Sequence, residues 1–357
     1  MKKIALVGAT GRTGLMTANV LMELIVSDPE TRLVVAGRDK LALERLSTDL
    51  GRRFKKPIDI TGIDLADRSA LRVMCEGAEV VINCAGPYAA VAPPIVATAV
   101  HGKAHYLDAC NDPAFYEHCA RVDGPAKEAG IAVVNGMSVA PGIADIAAAE
   151  ATAGWKTPKA IHVMCMVQNL DEGVAARQSY LEMIGQPART FVDKRVQNTP
   201  IGSKKHVFKW PGGQSNGVLA GGGEPFTIPR HVSGVSEVFT YQQVQGVQKL
   251  LAPFASSLVP ILCKLPNVVK WAKEGSRSLS DSSAFATVVE LDADGPRRFG
   301  VVQGNGFYAT TAKMLAHTAV RLLREGPLKK GLLSPSQVVD PKWLLGRLGL
   351  EVQVVDA

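Results

Sequence analysis

Three glycines spaced three residues apart follow the first apolar segment of the chain and constrain its fold more than any other feature. The segment reads Gly8-Ala9-Thr10-Gly11-Arg12-Thr13-Gly14, and it lies between a strand-like run, Lys3 to Val7, and a helix-like stretch that continues to Ile25. Glycine lets the chain turn tightly and approach a ligand closely, and the free N–H groups at a helix start attract a diphosphate. The order strand, turn, helix therefore predicts a dinucleotide site, with a purely structural turn as the alternative.

The first part of the chain alternates short apolar runs with amphipathic stretches, which is typical of repeated β-α units around a parallel sheet. The predicted strands are Lys3 to Val7, Arg32 to Ala36, Ile58 to Ile63, Val80 to Cys84, His105 to Asp108 and Ile131 to Asn135. We expect an α/β protein whose residues 1–143 form a doubly wound Rossmann domain.

A second domain is expected over residues 144–357, because the pattern changes after Gly142. An alanine-rich helix from Ile143 to Ala153 precedes a strand from Ala160 to Val167, and residues 212–223 are glycine-rich and predicted to form a loop. Phe285 to Leu291 and Arg298 to Val302 flank a turn-forming Asp-Gly pair, which predicts a β-hairpin. An α+β domain with a mixed sheet fits this pattern, and its last helices are free to pack back on the first domain.

The charge balance favours anionic partners in general, since 40 Lys and Arg residues face 33 Asp and Glu residues. No zinc-finger spacing and no aromatic RNA-binding strand occurs, so nucleic acid is not an expected partner. The chain also lacks a Walker A lysine loop and an H-E-x-x-H segment, and no metal site is predicted. Its six cysteines contain no C-x-x-C pair. We therefore expect reduced cysteines and a cytoplasmic protein.

The residue after the second predicted strand indicates which dinucleotide is bound. A carboxylate about 20 residues beyond the glycines usually receives the ribose 2′-hydroxyl of NAD. Here the segment reads Gly37-Arg38-Asp39, and the Arg38 guanidinium is suited to a 2′-phosphate. NADP, as NADPH, is the predicted cofactor in preference to NAD. Two alternatives stay open: Asp39 as a cap of the next helix, and Arg38 as a solvated surface charge.

The end of the fourth predicted strand offers a candidate catalytic group. In this topology strand ends border the cofactor crevice, so Ala85, Gly86 and Pro87 are expected at the dinucleotide. Tyr88 is our candidate proton donor, and a packing role at a helix start is the equal alternative. For His105, a structural hydrogen bond is favoured over acid catalysis. No tyrosine is followed four residues later by lysine, which excludes the short-chain dehydrogenase acid pair.

An uncharged segment, residues 250–263, lies between Lys249 and Lys264 and contains two prolines. It is too short to cross a bilayer of roughly 30 Å at about 1.5 Å per residue. A buried interrupted helix is the favoured interpretation. The alternatives are a lid over an apolar substrate and an anchor for peripheral membrane contact.

The chain resembles the saccharopine dehydrogenase-like oxidoreductases, which include trans-acting enoyl reductases. The resemblance lies in the glycine segment, in Ala36-Gly37-Arg38, in residues 83–88 and 105–108, and in Pro141-Gly142. It implies a Rossmann domain followed by a mixed-sheet domain that closes over the nicotinamide. The residues expected to contact the cofactor are Gly8, Thr10, Gly11, Arg12, Thr13, Gly14, Arg38, Ala85, Gly86 and Pro87. After Asp108 the chain departs from many relatives, which carry glycine and glutamate there.

These observations predict an NADP-dependent oxidoreductase that transfers hydride between the nicotinamide and a carbonyl, imine or enoyl group of a small molecule. Saccharopine formation requires arginines that converge on two amino-dicarboxylates, and Arg177, Arg189, Arg195 and Arg230 show no common spacing. Residues 250–263 favour a hydrophobic substrate instead. The alternative function is a non-catalytic NADP sensor or membrane-associated scaffold. A homodimer is an open possibility for the assembly.

Overall fold

A parallel sheet forms the first half of the molecule in the computed structural model, which describes residues 1–243, 265–274, 280–293 and 295–357. Every neighbouring pair in this seven-stranded sheet of the described residues is parallel, and the spatial order is β15-β6-β5-β4-β1-β2-β3. The strands are β1 (Lys2–Val7), β2 (Thr31–Gly37), β3 (Asp59–Gly62), β4 (Val80–Asn83), β5 (His105–Asp108), β6 (Ala132–Val134) and β15 (Gly331–Leu333). This sheet confirms the predicted fold class, because all six predicted strands are present.

Helices connect these strands and cover both faces of the sheet. They are α1 (Arg12–Ile25), α2 (Lys40–Phe54), α3 (Arg68–Cys75), α4 (Tyr88–His101), α5 (Pro113–Cys119) and α6 (Asp123–Ala129), with a short 3-10 turn at Ala120–Val122. Asp39, Asp67 and Asp112 cap α2, α3 and α5, since each carboxylate accepts a backbone N–H of the first turn. Helix α6 ends where Gly130 adopts the left-handed conformation (φ +76°).

The second sheet is mixed and has nine strands in the described ranges. Its main order is β10-β11-β12-β7-β13-β14-β16, and the hairpin β8-β9 pairs with β12. The strands are β7 (Ala160–Gln168), β8 (Ala188–Val192), β9 (Arg195–Thr199), β10 (Lys205–Trp210), β11 (Gly213–Leu219), β12 (Glu237–Gln243), β13 (Ala284–Asp292), β14 (Arg298–Asn305) and β16 (Gln353–Asp356). The predicted hairpin is present as β13 and β14, which pair antiparallel.

The prediction of a loop over residues 212–223 is wrong for most of its length. Strand β11 occupies Gly213–Leu219 and pairs with β10 on one side and β12 on the other. The glycines there leave room for large neighbours: a Cβ at Gly213 would collide with the Trp210 indole, and one at Gly217 would lie 2.7 Å from the Tyr241 Cβ. Long-range pairing thus outweighs the low strand propensity of glycine.

The chain crosses between the two sheets several times after residue 143. The remaining helices are α7 (Ala144–Thr152), α8 (Val174–Ile184), α9 (Glu224–Thr227), α10 (Pro266–Lys273), α11 (Phe307–Glu325), α12 (Pro335–Val338) and α13 (Pro341–Leu348), with a π turn at Val139–Ile143 and a 3-10 turn at Ile228–Arg230. Helix α11 packs on α1, and β15 extends the first sheet beside β6. Residues of both sheets and of α11 share one apolar core. The single boundary at residues 143/144 stays a prediction.

Candidate dinucleotide-binding site

The loop between β1 and α1 is closely packed on the backbone of its neighbours. Gly8 has φ +73°, and a Cβ at this position would lie 2.6 Å from the Ala85 nitrogen. A Cβ at Gly14 would lie 2.8 Å from the Ala9 Cα and closer still to the Gly8 carbonyl oxygen. At Gly11 the nearest atom would be 3.4 Å away, and this glycine borders an open cleft. The loop therefore fits the close backbone packing that a diphosphate site requires.

The start of α1 presents unpaired backbone donors to this cleft. Gly11 is extended (φ −78°, ψ 165°), and in the described part of the chain no side chain caps the helix. Leu15 is the first residue whose N–H donates to a carbonyl of this turn, that of Gly11, at 2.8 Å. Residues 12–14 precede Leu15, so no carbonyl group of an earlier helical turn accepts a hydrogen bond from their backbone N–H groups. Such a helix start attracts an anion through its N–H groups and its dipole.

A cleft of about 1310 Å³ extends from this loop along the carboxyl edge of the parallel sheet. The predicted cofactor residues that border it are Gly8, Thr10, Gly11, Arg38, Ala85, Gly86 and Pro87. His118 on α5 and Gln178 on α8 are among the residues that border it from other elements. Because α8 follows a strand of the second sheet, the cleft has walls from both parts of the molecule.

The end of the cleft at β2 is basic. Arg38 borders it together with Arg68 and Arg72 on α3. The Asp39 carboxylate accepts the Ala42 N–H at 3.0 Å, which is the helix-cap role that the sequence left open. Gly37 lies next to the Thr10 hydroxyl, since a Cβ there would be 3.8 Å from the Thr10 Oγ1. This end therefore offers three arginine guanidinium groups to a 2′-phosphate, against the carboxylates of Asp39 and Asp64, which also border it.

Arg12 differs from the other residues of the glycine loop. Its side chain is buried and leaves the cleft, and its guanidinium donates to the carbonyls of Asp171 and, at 2.7 Å, Ser280. It also lies 3.4 Å from the Asp171 carboxylate and 4.6 Å from the centre of the Tyr308 ring. The Arg12 side chain thus joins the first helix to later segments, and a contact between its backbone N–H and the cofactor stays a prediction.

Thr13 and Gly14 also lie behind the surface of the cleft. Gly14 is buried against the loop, and the Thr13 carbonyl accepts a hydrogen bond from the Thr17 hydroxyl at 2.7 Å. Their expected contribution to cofactor binding is therefore restricted to the backbone at the helix start.

Tyr88 is half-buried and does not border the cleft. Its hydroxyl donates to the Asn83 carbonyl over a long 3.5 Å, and its ring centre lies 6.4 Å from that of Phe115. Burial raises the pKa of the Tyr88 phenol well above its usual value of 10. This environment favours the packing role over the proton-donor role that the sequence left equally open.

A buried polar network underlies the cleft at the ends of β4, β5 and β6. Asp108 accepts the backbone N–H groups of Cys110 and Gly136, both at 2.9 Å, and the Asn135 amide at 2.8 Å. Burial raises the pKa of its carboxyl to about 6, and these hydrogen bonds oppose a larger increase. Asp108 thus fixes the two loops that follow β5 and β6.

His105 takes the structural role that the sequence favoured. The Ala132 N–H donates to its Nδ1 at 3.0 Å, and burial lowers the pKa of its imidazole. A neutral ring that accepts a backbone hydrogen bond holds β5 against the start of β6. The sequence missed Arg68, Arg72, His118 and Gln178, which lie on helices whose approach to the cleft depends on packing.

The four arginines considered for a dicarboxylate substrate lie on different elements. Arg177 on α8 lies 3.7 Å from the Glu172 carboxylate, and Arg189 on β8 lies 2.5 Å from that of Glu117. Arg195 is exposed on β9, whereas Arg230 ends a 3-10 turn. Among the described residues, none of the four borders the dinucleotide cleft.

The match to known families falls on this first domain. Residues 4–134 match the model of the saccharopine dehydrogenase NADP-binding domain. This part of the chain is therefore similar to a saccharopine dehydrogenase NADP-binding domain. This match confirms the predicted resemblance and NADP as the predicted cofactor, whereas the contact made by each residue stays a prediction.

Several curated proteins align over a similar length of this chain. The mouse saccharopine dehydrogenase-like oxidoreductase is 29% identical over 137 residues, covering 36% of this chain and 32% of the relative. A lipid droplet localized protein of Caenorhabditis elegans is 31% identical over 138 residues, covering 37% of this chain and 32% of the relative. The chain thus aligns with about a third of the length of these relatives.

A solved structure extends the likeness in fold beyond the NADP-binding domain. Saccharopine dehydrogenase (L-Glu forming) from Saccharomyces cerevisiae matches with a TM-score of 0.65 and 16% identity, and the match covers 100% of both chains. At this identity the match shows a common fold, which includes the mixed second sheet. In the described ranges, no helix has the length and apolar character needed to span a membrane. The uncharged segment 250–263 lies outside the described residues, so its three interpretations stay predictions.

Proposed function

We propose that this protein is an NADPH-dependent oxidoreductase that transfers hydride between the nicotinamide and a carbonyl, imine or enoyl group. The observation that supports this most is the continuous cleft with walls from both parts of the molecule. It starts at the unpaired amides of α1 and also borders Gln178 of α8. The oxidoreductase names of the relatives agree with this proposal.

The chain itself would bind and orient the cofactor. The amides at the start of α1 would hold the diphosphate, and the Arg38 guanidinium would hold the 2′-phosphate. Gly86 and Pro87 would place their backbone beside the nicotinamide end, where NADPH supplies the hydride when bound. Gln178 would cover the cleft from the second part of the molecule, which excludes water from the reacting groups.

The substrate that we propose is hydrophobic. The uncharged segment 250–263 supports this choice, and the dispersed arginines argue against a dicarboxylate. The name of the lipid droplet relative is consistent with an apolar substrate. Cytoplasmic location and peripheral membrane contact through residues 250–263 are further proposals that depend on the same segment.

NADPH oxidation in the presence of a substrate panel tests this function. The panel should contain long-chain enoyl, ketone and imine compounds and, as the rival class, amino-dicarboxylates with a carbonyl partner. We expect oxidation with an apolar member of the panel and none with the dicarboxylates. A chain that binds NADPH, gains thermal stability from it and oxidises it with no member of the panel would instead support the non-catalytic sensor.

A further inference from the structure

A second pocket of about 510 Å³ lies on the mixed sheet, away from the dinucleotide cleft. Residues of β7 alternate between the two faces of this sheet. Ile161 and Val163 pack in the same core as Ala147 of α7, whereas Met164 belongs to a separate apolar cluster with Phe208 and Tyr241. His162 shares the face of Met164 and borders the second pocket. The pocket therefore opens on the face of the sheet opposite to α7.

Flat aromatic rings form one wall of this second pocket. The rings of His162 and His206 stack with their centres 4.1 Å apart and their planes 7° apart. The Phe239 ring lies 5.6 Å from His162, and the Tyr241 ring lies 5.3 Å from His206. The hydroxyl of Tyr241 is also 3.2 Å from the His162 Nδ1. Such a wall offers apolar area and a polar edge to a planar ligand.

The buried carboxylate of Glu290 lies behind this wall and is paired with basic side chains. Its two oxygens lie 3.0 Å from the His206 Nε2 and 2.9 Å from an Arg297 nitrogen. Burial, and after it the nearby His206, Arg297 and Lys204, lower the pKa of His162 to about 3, so this ring is neutral and the cations Arg297 and Lys204 remain beside it. A cationic ligand would therefore meet repulsion at this end of the pocket.

Two lysines at the same end have no acidic partner among the described residues. The Lys204 ammonium lies 4.1 Å from the centre of the Phe239 ring, and Lys205 is the next residue on the chain. Both side chains are exposed, but Lys205 is next to His206 on β10, so its side chain leaves the opposite face of that strand. Lys204 therefore brings the unpaired cation to the aromatic wall.

The acidic residues of the pocket lie at its other end. Glu237 and Asp292 both align with Ala160 in the sheet, whereas Phe239 and Glu290 align with His162. Two residues along a strand correspond to about 6.6 Å. The carboxylates of Glu237 and Asp292 are thus about this distance along the strands from the level of His162 and Phe239.

We propose that the end of this second pocket formed by Lys204 and the stacked histidines binds a small organic anion, a carboxylate or a phosphate ester with a flat apolar part. The Lys204 ammonium receives the charge, and the rings of His162, His206 and Phe239 receive the apolar part. This site is separate from the NADP-binding domain, so the proposal does not depend on the proposed reaction.

NMR of the histidine side chains in the full-length protein tests this site locally, with the signals of His162 and His206 assigned by replacing each with asparagine. The probes are benzoate, inorganic phosphate and benzylamine, the last having a similar shape to benzoate but the opposite charge. We expect benzoate or phosphate to shift both histidine signals in a saturable way, and benzylamine to leave them unchanged. The tighter of the two anions identifies the chemical class of the ligand.

The matched variants are Lys204→Gln and Lys209→Gln, which change exposed lysines of one segment, inside and outside the pocket. Lys204→Gln should weaken anion binding by about tenfold or more, the loss expected for one charge-assisted contact. Lys209→Gln should bind as the unchanged protein does. The proposal fails if neither anion shifts the signals, if benzylamine alone shifts them, or if the two variants weaken binding equally.

Discussion

Replacing Gly14 and Gly11 separately by alanine distinguishes the packing of the glycine loop from its contact with the cofactor. At Gly14 the new methyl group would approach three backbone atoms of Gly8 and Ala9 to less than 3.0 Å. Backbone atoms cannot move aside as a flexible side chain does, so the loop and α1 must separate. We expect Gly14→Ala to lower the free energy of unfolding by about 1–3 kcal/mol, as overpacking of a close contact does.

Gly11→Ala is the matched control for stability. Its φ of −78° suits alanine, and the nearest atom to the new methyl group would be 3.4 Å away. The free energy of unfolding should therefore change by no more than about 0.5 kcal/mol. The methyl group would nevertheless point to the cleft beside the helix start, so the affinity for NADPH should fall in this variant as well.

Urea denaturation without cofactor and calorimetric titration with NADPH measure the two effects. The expected pattern is weak NADPH binding in both variants and a lower free energy of unfolding in Gly14→Ala alone. Equal free energies of unfolding for the two variants would refute the argument from close packing. Unchanged NADPH affinity in Gly11→Ala would refute the placement of the diphosphate at the start of α1.

Four further experiments test other parts of the molecule. Arg38→Ala should weaken NADPH binding by about 1–3 kcal/mol and leave NADH binding unchanged. The control Arg52→Ala, outside the cleft, should alter the binding of neither cofactor. Calorimetry with both cofactors measures this, and equal losses for NADPH and NADH would exclude the 2′-phosphate contact. The carboxyl of Asp108 should titrate near pH 6 in a carbon-detected NMR experiment. Because its pKa is higher in the folded than in the unfolded protein, its contribution to stability is full below about pH 4 and is lost as the pH rises through 6. A midpoint near the usual 3.8 would contradict the buried network. Arg12→Met should lower the free energy of unfolding by about 1–3 kcal/mol through the lost hydrogen bonds to two carbonyls, as followed by urea denaturation, and an unchanged value would show that this buried contact contributes little. Deleting residues 250–263 should abolish co-sedimentation with lipid vesicles if the segment is a membrane anchor, and a full-length protein that never co-sediments would dismiss the anchor.

Local sequence was sufficient for six of the seven strands of the first sheet and for the position of the cofactor loop. Most of these six strands are short, buried apolar runs, whereas β15 lies far along the chain and joins the sheet through its pairing with β6. Gly8 and Gly14 could be recognised because only glycine leaves the space that this loop needs. The same local signals failed at Gly213–Leu219, where hydrogen bonds to the adjacent strand β10 and to β12, farther along the chain, supply what the residues themselves lack.

The sequence by itself determined the NADP-binding domain, its cofactor class and the backbone of its phosphate loop, because these depend on residues that are neighbours along the chain. The tertiary structure alone decided where the side chains act. It turned Arg12 away from the cleft toward Asp171, buried Asp108 among amides of two loops, and placed Gln178 at the cofactor cleft. It also stacked His206 on His162 at the second pocket. Such contacts join residues far apart in sequence, and their geometry follows from how the two sheets and their helices pack together.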